Sequence, residues 1–589
     1  MDPRTAAAAL TRIADLLELR GDNPFKTRAY HTAARALAAL DADDLAPLLT
    51  DGTLAAVPGL GPGTLAVVAD LVATGESRLL AQLEADTPAG LAELLRVPGL
   101  GTGKIFQLYQ TLGVQSLDDL DRAAQDGRLA GVKGFGAKTA EKVAKGVAFA
   151  REAAGRRLLP QAMGEAARLL ADLRAQPGVV RAEVAGLVRR HVEVVGEVAL
   201  VAAVDGAPAA VCDAVARAPG AAHAEPLGTR SASRAGVRVR FADGVRLALT
   251  CVRPPDFALA WWRETGSAAH VDAVAARLAG RGYTLGDEGL RGPDGALVPI
   301  GDEADVYGLA GLAFVVPELR EGAGEVEDAA AGRLPDLVEP GDLLGALHAH
   351  TTYSDGTAGV AEMAEAARAR GWRYLGVTDH SQAAAYAGGL SPARVREQHG
   401  EIDRVNDAYG AAGVDFRVLK GIEADILADG ALDYDDATLA LFDFVIGSVH
   451  SRFGLPEAEM TARVCRAVAN PFLTVLGHPT GRLLLQRDAY AVDVPAVLDA
   501  AAAYGAAVEI NAHPVRLDLD WRHGPQVRRL GLTVEIGPDA HAPQALGHVV
   551  HGVGAARKAG VGAAAVLNAR PAEGVLAFAR AKREGRAGA

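Results

Sequence analysis

Histidines, whose imidazoles bind metal ions and transfer protons, are concentrated in the last part of this chain. Eleven of the fifteen histidines in the 589-residue sequence lie at or after His348. His348 and His350 are separated by one residue in an apolar run, and in a strand that spacing places both imidazoles on the same face. Two imidazoles in this arrangement can bind one metal ion.

Short apolar runs typical of strands carry these histidines. Helical segments such as VAEMAEAARAR and VPAVLDAAAAY separate most of the runs, and this alternation indicates parallel strands closed into a barrel. Side chains at the C-terminal ends of barrel strands converge on one rim. Six of the seven runs have a His, Asp or Glu as their last or next-to-last residue. The runs are LLGALHAH, RYLGVTDH, FRVLKGIEA, FDFVIGSVH, LTVLGHP, AAVEINA and LTVEIGPDAH.

The residue types at this rim predict a cluster of metal ions. A single buried histidine is more often a hydrogen-bonded core residue than a ligand, but a whole set at strand ends favours metal binding. Mixed imidazole and carboxylate ligands suit Zn, Mn or Fe, whereas Ca and Mg prefer oxygen ligands. One ion takes about four ligands, so the candidates indicate two or three ions. The candidate ligands are His348, His350, Asp355, His380, Glu423, His450, His478, Asp539 and His541.

Clustered divalent ions are suited to the hydrolysis of phosphate esters, because they activate water and neutralise charge on the reacting oxygens. The sequence therefore predicts a phosphoesterase, whose candidate catalytic residues are His348, His350, Glu423, His450 and Asp539. Arg516 is a further candidate for contact with a phosphate oxygen, although an ordinary surface arginine explains it equally well.

A glycine-rich phrase occurs three times in the first 150 residues: VPGLGPG, VPGLGTG and VKGFGAK, each followed by a helical stretch. The glycines permit a tight hairpin between two helices, and the free N–H groups at the next helix start can bind a phosphate oxygen. One copy could be an ordinary turn at a helix end, but three copies favour DNA binding. The candidate DNA contacts are Gly59, Gly61, Gly99, Gly101, Lys104, Lys133, Gly134, Gly136 and Lys138.

Composition limits the remaining possibilities. A net charge of -13 argues against a uniform coating of nucleic acid, although a local patch can still bind a DNA backbone. Three dispersed cysteines without a CxxC pair fit a reducing compartment, so we expect a cytoplasmic protein. No run approaches the roughly 18 apolar residues of a membrane helix. DNA is thus the expected partner, a membrane is not, and a monomer is compatible with the sequence.

Changes in pattern along the chain predict several domains. The first region alternates amphipathic helices with Gly-rich turns, the second combines helices with β-rich runs, and an acidic Gly- and Pro-rich stretch without apolar periodicity separates it from the last. We expect an all-α region at 1–150, an α+β domain at 155–320, a linker at 321–342 and the barrel at 343–575.

The strings HAHTTYSDG, VTDHS, GIEADIL, GSVHS, LGHP and PDAH resemble, in order, the motifs of the PHP (polymerase and histidinol phosphatase) domain. This resemblance implies a distorted seven-stranded β/α barrel with three metals. It further implies that His348, His350, Glu423 and Asp539 bind the first metal. Glu423 would bridge to a second metal on His450 and His478, and Asp355, His380 and His541 would bind the third.

Nearly the whole chain resembles the bacterial family X DNA polymerases that carry a C-terminal PHP domain. The three glycine-rich phrases resemble helix-hairpin-helix motifs, and the string RGDNPFKTRAYHTAARAL resembles the helical N-terminal domain of that family. RETGSAAH and VYGLAGLAFVVPELREG resemble segments of the polymerase domain. The middle domain is therefore expected to be nucleotidyltransferase-like, with a palm and a thumb.

The catalytic positions of that polymerase family are altered. Leu187 stands where the family has the serine of a Gly-Ser turn, and Glu197 and Ala199 stand for the Asp-x-Asp pair that binds two magnesium ions. The third aspartate is expected in the strand GVRLALTCV, at Arg246. Nucleotidyl transfer by two metals requires carboxylates to hold both ions, so we expect the polymerase activity to be lost.

These observations favour a metal-dependent 3'-5' exonuclease or 3'-end processing enzyme acting in DNA repair. Two alternatives remain open at the level of sequence. One is an active family X repair polymerase with the PHP domain as its exonuclease. The other is a non-catalytic DNA-binding scaffold, against which the complete set of nine ligands argues.

Overall fold

A computed structural model of the protein describes residues 1–585 except 39, 41, 43, 229, 287 and 288. The chain divides into two units, Met1–Ala154 and Gly155–Ala589. Among the described residues, no helix combines the length and the apolar character that a membrane crossing requires.

The first unit is built from helices, as the sequence predicted. Leu10, Ile13 and Leu17 recur at helical spacing along one face of the first helix and are fully buried, which gives the unit its core. Glycine-rich turns separate the later helices. The helices are α1 (Pro3–Leu19), α2 (Pro24–Ala38), α3 (Leu45–Thr50), α4 (Pro62–Thr74), α5 (Arg78–Asp86), α6 (Ala89–Leu94), α7 (Thr102–Leu112), α8 (Leu117–Gln125) and α9 (Ala137–Ala153).

The second unit begins with an α+β region, also as predicted. Its elements are β1 (Arg157–Leu158), α10 (Leu159–Arg174), β2 (Val179–Ala185), α11 (Gly186–Arg189), β3 (Val194–Val195), β4 (Val198–Val204), α12 (Pro208–Ala216), β5 (Ala221–Pro226), β6 (Arg234–Phe241), β7 (Arg246–Val252), α13 (Phe257–Thr265), α14 (Ala268–Ala279), β8 (Thr284–Gly286), β9 (Gly289–Arg291), α15 (Glu303–Ala310) and α16 (Glu325–Ala330).

A mixed five-stranded sheet forms the centre of this region, in the order β2-β4-β7-β6-β5. The neighbours β4 and β7 are parallel, and the other adjacent strands are antiparallel. Helices α10 and α12 pack on one face of the sheet, while Phe257 and Ala260 of α13 pack on the other. Helices α13, α14 and α15 share a separate apolar cluster around Trp262 and Tyr307.

Residues 321–342, which composition suggested as a linker, are packed against the domains on both sides. The segment contains α16, and the buried Glu325 pairs with the buried imidazole of His270 at 2.6 Å. Val326 and Val338 are also buried. The segment expected to be a linker is thus packed along its length, because Val326 and Val338 belong to apolar clusters formed by other parts of the chain.

The last region alternates strands and helices. Its elements are β10 (Gly345–Ala346), α17 (Val360–Ala369), β11 (Tyr374–Val377), α18 (Pro392–Ala411), β12 (Arg417–Lys420), β13 (Glu423–Asp425), α19 (Asp436–Leu439), β14 (Ile446–Ser448), α20 (Glu457–Ala469), β15 (Val475–Leu476), α21 (Val494–Tyr504), β16 (Ala507–Glu509), α22 (Gly524–Leu530), β17 (Val534–Glu535), α23 (Val549–Lys558) and α24 (Ala572–Arg583).

The parallel strands form two sheets, β10-β11-β12 and β13-β14-β15-β16-β17. Isolated bridges, Ala349 with Ala540 and His380 with Glu423, connect the sheets at two places, but the ladders do not form one closed sheet. Apolar side chains from both sheets nevertheless meet in a single interior cluster, which α24 covers through Val575 and Ala579. The alternation of strands and helices is thus confirmed, without continuous closure.

The run FRVLKGIEA, expected to be one strand, is divided into β12 and β13. The division occurs at Gly421, where an added Cβ would lie 2.5 Å from Phe444 and 2.7 Å from Thr378. The backbone approaches its neighbours so closely here that only glycine fits. The break between the two sheets places Glu423 at the first position of the larger sheet.

A charged seam connects the middle region to the last one. Arg190 pairs with Glu321 at 2.8 Å, and Glu321 also contacts Lys558. Glu193 accepts hydrogen bonds from Trp521 Nε1 at 2.9 Å and from Arg522 at 2.7 Å. Except for Arg522, whose side chain is 53% exposed, the charged groups are largely buried, so their charges are compensated by one another rather than by water.

Candidate metal centre and DNA-binding hairpins

The nine candidate ligands lie at or just beyond the C-terminal ends of the parallel strands. His348 and His350 follow β10, and His380 follows β11. Glu423 comes three residues after the end of β12 and is also the first residue of β13. His450 and His478 follow β14 and β15, and the pair Asp539 and His541 follows β17. Asp355 lies in the turn after His350. The structure brings these nine side chains together, most of them buried.

Glu423 is the centre of the cluster. Its two carboxylate oxygens lie within 3.7 Å of five imidazoles. The shortest contacts are to His478 Nε2 at 2.9 Å and to His380 Nδ1 at 3.0 Å. Since Glu423 is 1% exposed, its charge is balanced by these groups and not by solvent.

Two aspartates complete the set. Asp539 Oδ1 lies 3.4 Å from His350 Nε2 and 3.6 Å from His348 Nε2. Asp355 Oδ1 lies 3.4 Å from His541 Nε2 and 3.7 Å from His380 Nε2. A third imidazole lies slightly farther from each aspartate, His541 at 3.8 Å from Asp539 and His350 at 3.9 Å from Asp355.

The donor set fits divalent metal ions. Among the described residues, several buried side-chain atoms of the cluster have no hydrogen-bond partner, including Nε2 of His348, both ring nitrogens of His350, and Oε2 of Glu423. Buried polar atoms without partners are costly and therefore rare in folded proteins. A bound cation would satisfy these lone pairs, and imidazole with carboxylate is the donor set that Zn, Mn and Fe accept.

The imidazoles have very different proton affinities. Burial lowers the pKa of His450, but Glu423 and Asp425 outweigh it and raise that pKa to about 10. Burial and the neighbouring His541 and His380 lower the pKa of His350 to about 3. The spread arises because positive charge is favoured beside the carboxylates and disfavoured beside other imidazoles. A cluster of this kind accepts a limited number of positive charges, from protons or metal ions.

Proximity divides the cluster into three overlapping groups. One contains His350, Asp355, His380 and His541, a second contains His348, His350 and Asp539, and a third contains His380, Glu423 and His450. The grouping implied by the PHP resemblance differs in three ways: His350 and His380 each belong to two groups, Glu423 is not grouped with His348, and His478 is in none of the three. His380 reaches Glu423 through Nδ1 and Asp355 through Nε2, so it borders two groups.

Two residues behind the cluster were missed by the sequence reasoning. Glu509 Oε1 lies 2.5 Å from His348 Nδ1, and Asp425 Oδ1 lies 2.7 Å from His450 Nδ1. A carboxylate at one ring nitrogen fixes the orientation of an imidazole and leaves the other nitrogen for a metal. A signal was available, because Asp425 shares a strand face with Glu423 and Glu509 interrupts the apolar strand AAVEINA.

The backbone at two of the strand ends is strained. His478 has a φ of 21° and Asp539 a φ of 50°, in the left-handed region that favours glycine. Non-glycine residues held in this region are frequent at functional sites, where the fold maintains a costly conformation.

Arg516, the candidate phosphate contact, lies beside the cluster with its Nε 3.2 Å from Asp539 Oδ2. Its side chain is 19% exposed. It is thus not an ordinary surface arginine, and a guanidinium at this place can bind an anionic oxygen while still paired with Asp539.

The three glycine-rich phrases share one backbone geometry. The first glycine of each, Gly59, Gly99 or Gly134, has a positive φ of 77° to 95°. The apolar residue that follows, Leu60, Leu100 or Phe135, is buried. The second glycine is the N-cap of the next helix in every copy, and these N-caps are Gly61 for α4, Gly101 for α7 and Gly136 for α9.

The outer surfaces of these hairpins are open. A Cβ added at Gly101, Gly134 or Gly136 would meet nothing within 4 Å, so internal packing does not explain these glycines. In the first hairpin, a Cβ added at Gly59 would lie 3.0 Å from Thr32 Cγ2. Bare backbone N–H groups at a helix start form a site for a phosphate oxygen. Lys133 and Lys138 are exposed nearby. Lys104 is also exposed, and its Nζ donates to the carbonyl oxygen of Gly99 at 3.1 Å.

The positions expected for a polymerase centre form a different environment. Glu197 pairs with Arg238 at 2.5 Å, and Ala199 contacts an apolar cluster that includes Phe257. Leu187 packs against the core of the sheet. The β4–β7 register sets Ala248 directly beside Ala199, whereas Arg246 lies two residues earlier. The neighbour of Ala199 on β7 is therefore a second alanine.

Arg189 and Arg190, shortly after Leu187 in the chain, both form ion pairs. Arg189 pairs with Glu303 at 2.7 Å and stacks on Trp261, with 3.4 Å between its Cζ and the ring centroid. Arg190 pairs with Glu321. Both guanidinium groups thus serve the packing of the middle region.

Comparison with known families matches four segments of the chain. Residues 1–77 match the helix-hairpin-helix domain, and residues 91–147 match the SAM-like helix-hairpin-helix tandem. Residues 260–321 match the DNA polymerase beta thumb, and residues 346–513 match the PHP domain.

Similar proteins cover different lengths of the chain. The protein named DNA polymerase/3'-5' exonuclease PolX from Bacillus subtilis is 35% identical over 570 residues, which cover 97% of this chain and 98% of the relative. A probable phosphatase of Syntrophotalea carbinolica is 28% identical over 243 residues, 39% of this chain and 94% of the relative. Another, from Caldanaerobacter subterraneus, is 30% identical over 137 residues, 21% of this chain and 50% of the relative.

The order of the matched segments and the similarity along nearly the full length lead to one conclusion. The chain belongs to the bacterial family X DNA polymerases that carry a C-terminal PHP domain.

Proposed function

We propose that this protein is a DNA-binding, metal-dependent phosphoesterase that removes nucleotides from the 3' ends of DNA during repair. The observation that carries the proposal is Glu423, buried among five imidazoles whose nitrogens include several without a hydrogen-bond partner. The name of the Bacillus subtilis relative, which includes 3'-5' exonuclease, supports the same activity.

The nine residues of the cluster are proposed to hold two or three divalent ions, Mn, Zn or Fe. Ions held there would activate water for attack on phosphorus and neutralise charge on the phosphate oxygens. His348, His350, Glu423, His450 and Asp539 are the proposed catalytic residues.

Three side chains around the cluster are proposed to orient its histidines or to bind the substrate. Glu509 and Asp425 hold the rings of His348 and His450 through Nδ1, which keeps the Nε2 atoms directed at Glu423. Arg516 would bind a non-reacting oxygen of the phosphate and direct the ester towards the cluster. The burial of the histidines excludes bulk water from this arrangement.

We also propose that residues 343–575 form a distorted (β/α)7 barrel, with 1–150 and 155–320 as the helical and polymerase-like regions. The interior cluster shared by both parallel sheets and the two bridges between them support a barrel. The nine candidate ligands at the strand ends then correspond to its C-terminal rim.

The helix-hairpin-helix segments are proposed to bind the DNA backbone without reading its sequence. Two helix N-termini without a side-chain cap, at Gly101 and Gly136, support this role. At the third, the N–H of Gly61 donates to Thr64 Oγ1 at 3.0 Å.

The polymerase activity is proposed to be lost. Ala199 and Ala248 lie side by side on the central strands, and Glu197 is neutralised by Arg238. Two magnesium ions would find a single carboxylate at these strands, and that carboxylate is already paired.

A second candidate function, repair synthesis, is favoured by the name of the relative, which also includes DNA polymerase. Gapped DNA with nucleotides and Mg²⁺ or Mn²⁺ separates the two proposals. Primer extension by a variant in which Glu423→Gln has disabled the nuclease would show that the middle region is an active polymerase.

The test of the main proposal is the degradation of 3'-labelled DNA with Mn²⁺ by the full chain and by His348→Ala. We expect the variant to lose hydrolysis and to keep its DNA affinity, because the hairpins are unchanged. His523→Ala, which alters a histidine of the same region outside the cluster, is the control and should retain full activity.

Unchanged hydrolysis in His348→Ala would place the active site elsewhere. Release of no nucleotide by the unaltered protein with Mn²⁺, Zn²⁺ or Fe²⁺ would favour a DNA-binding scaffold instead.

A further inference from the structure

A large aromatic side chain lies exposed at the edge of the metal cluster. Tyr386, in the turn Ala385–Ala387, is 74% exposed. Its ring centroid is 6.3 Å from that of His380. The ring is therefore next to the cluster and open to solvent.

The loop that carries Tyr386 is firmly held, although the ring is not packed. Ala384 and Ala387 on either side are buried. The backbone N–H of Ala383 donates to Asp433 at 2.6 Å, and a Cβ added at Gly389 would lie 1.9 Å from the carbonyl oxygen of Ser381. The fold thus fixes the backbone of this turn and leaves the aromatic face open to solvent.

Two arginines near the cluster provide positive charge. Arg516 stands beside Asp539, and Arg487 stacks on Phe453 with 4.5 Å between its Cζ and the ring centroid. Arg487 Nη2 also donates to the carbonyl oxygen of Gly481, three residues after His478, at 2.8 Å. Burial and the charge of Arg516 lower the pKa of Arg487. Neighbouring guanidinium groups attract an anion such as a phosphodiester.

We propose that Tyr386 stacks on the base of the unpaired 3'-terminal nucleotide, while Arg516 and Arg487 bind the phosphodiester backbone that leads to it. This inference rests on the proposed nuclease function and defines its substrate class. An aromatic face accepts any base, so recognition is independent of sequence but requires a base that is not paired. The site therefore prefers single-stranded or frayed 3' ends with an intact terminal base over ends that lack the base.

The test compares two 5'-labelled single strands of the same sequence, one ending in a normal nucleotide and one ending in a tetrahydrofuran abasic nucleotide. Removal of the last nucleotide is followed with Mn²⁺ for the full chain and for Tyr386→Ala and Tyr386→Phe. Tyr504→Ala is the control, because Tyr504 is also exposed, at 51%, but belongs to the end of α21. Bound metal is measured for every variant.

We expect Tyr386→Ala to lower kcat/KM on the normal end by about tenfold, a loss typical of one stacked base. On the abasic end it should equal the unaltered protein. Tyr386→Phe should keep the preference, since stacking requires the ring and not the hydroxyl. Tyr504→Ala should change neither substrate, and the metal content should be the same in all four proteins.

Three results would overturn this inference alone: an equal loss on both substrates, a loss in Tyr386→Phe as large as in Tyr386→Ala, or no loss in either variant. If the unaltered protein removes nothing from either strand, the proposed nuclease function fails as well.

Discussion

The metal cluster and the centre of the middle sheet are two places where a family X polymerase with a PHP domain would bind metal ions, and they differ in how their polar groups are satisfied. In the cluster, buried atoms of His348, His350 and Glu423 have no hydrogen-bond partner among the described residues. In the sheet, Glu197 is paired with Arg238, and Ala199 contacts apolar neighbours.

This difference separates a site arranged for a ligand from one arranged for its own stability. Buried polar atoms without hydrogen-bond partners in the chain indicate that a bound ligand satisfies them. A carboxylate that already has an ion pair within the fold gains little free energy from binding a metal ion. The strained backbone at His478 and Asp539 belongs to the first region, where the fold tolerates a cost that packing alone would not require.

The largest effect is expected for Glu423→Gln, which removes the charge shared by five imidazoles. Hydrolysis of 3'-labelled DNA with Mn²⁺ should fall by about 100-fold or more, because an amide cannot bridge cations as a carboxylate does. Bound Mn²⁺, measured after dialysis, should also decrease. Activity and metal content close to those of the unaltered protein would remove Glu423 from the centre of the site.

A smaller loss is expected for Glu509→Gln and Asp425→Asn, which weaken the groups that orient His348 and His450. The loss in metal affinity or activity should be about 10- to 100-fold, as for other residues behind metal ligands. The control is Glu459→Gln, a change on the exposed side of α20. If metal affinity is unchanged while activity falls, the orienting role is wrong.

A moderate effect on DNA binding is expected for Lys138→Gln, at the start of α9. Affinity should fall a few-fold for every sequence, and the slope of log affinity against log salt should decrease by about 1, because one phosphate contact is lost. Lys145→Gln on the same helix is the control, since Lys145 is already paired with Glu141 at 2.9 Å. Equal effects of the two changes would argue against a specific hairpin contact.

The smallest effect is expected for Glu197→Gln in the middle sheet. The pair with Arg238 is partly exposed, so its loss should change the free energy of unfolding by about 1 kcal/mol or less. Nuclease activity should be unaffected. A strong loss of primer extension in this variant would contradict the comparison, because it would show that Glu197 still holds a metal.

The composition of the cluster could be predicted from sequence because the information is local. His348 and His350 share a strand face by spacing, and strand ends carry the other candidates in a regular order. The hairpins were predictable for the same reason, since Gly99 and Gly101 specify a left-handed turn followed by a helix start.

Features that depend on distant contacts were not predictable. The break at Gly421 reflects the closeness of Phe444 and Thr378, which no local pattern contains. The packing of 321–342 depends on His270, and the neighbour of Ala199 depends on the β4–β7 register. Glu509 gave a weak signal that became informative only when His348 was found beside it.

The seam formed by Arg190, Glu193, Glu321, Trp521, Arg522 and Lys558 limits how the protein can be dissected into fragments. A recombinant piece beginning near residue 343 would leave the buried Lys558 without Glu321, and an uncompensated buried charge typically costs about 3–5 kcal/mol. Such a fragment would unfold or aggregate more readily than the full-length protein, although it retains every metal ligand. A fragment that begins near Gly155 follows the boundary between the two units and keeps all of these charges with their partners.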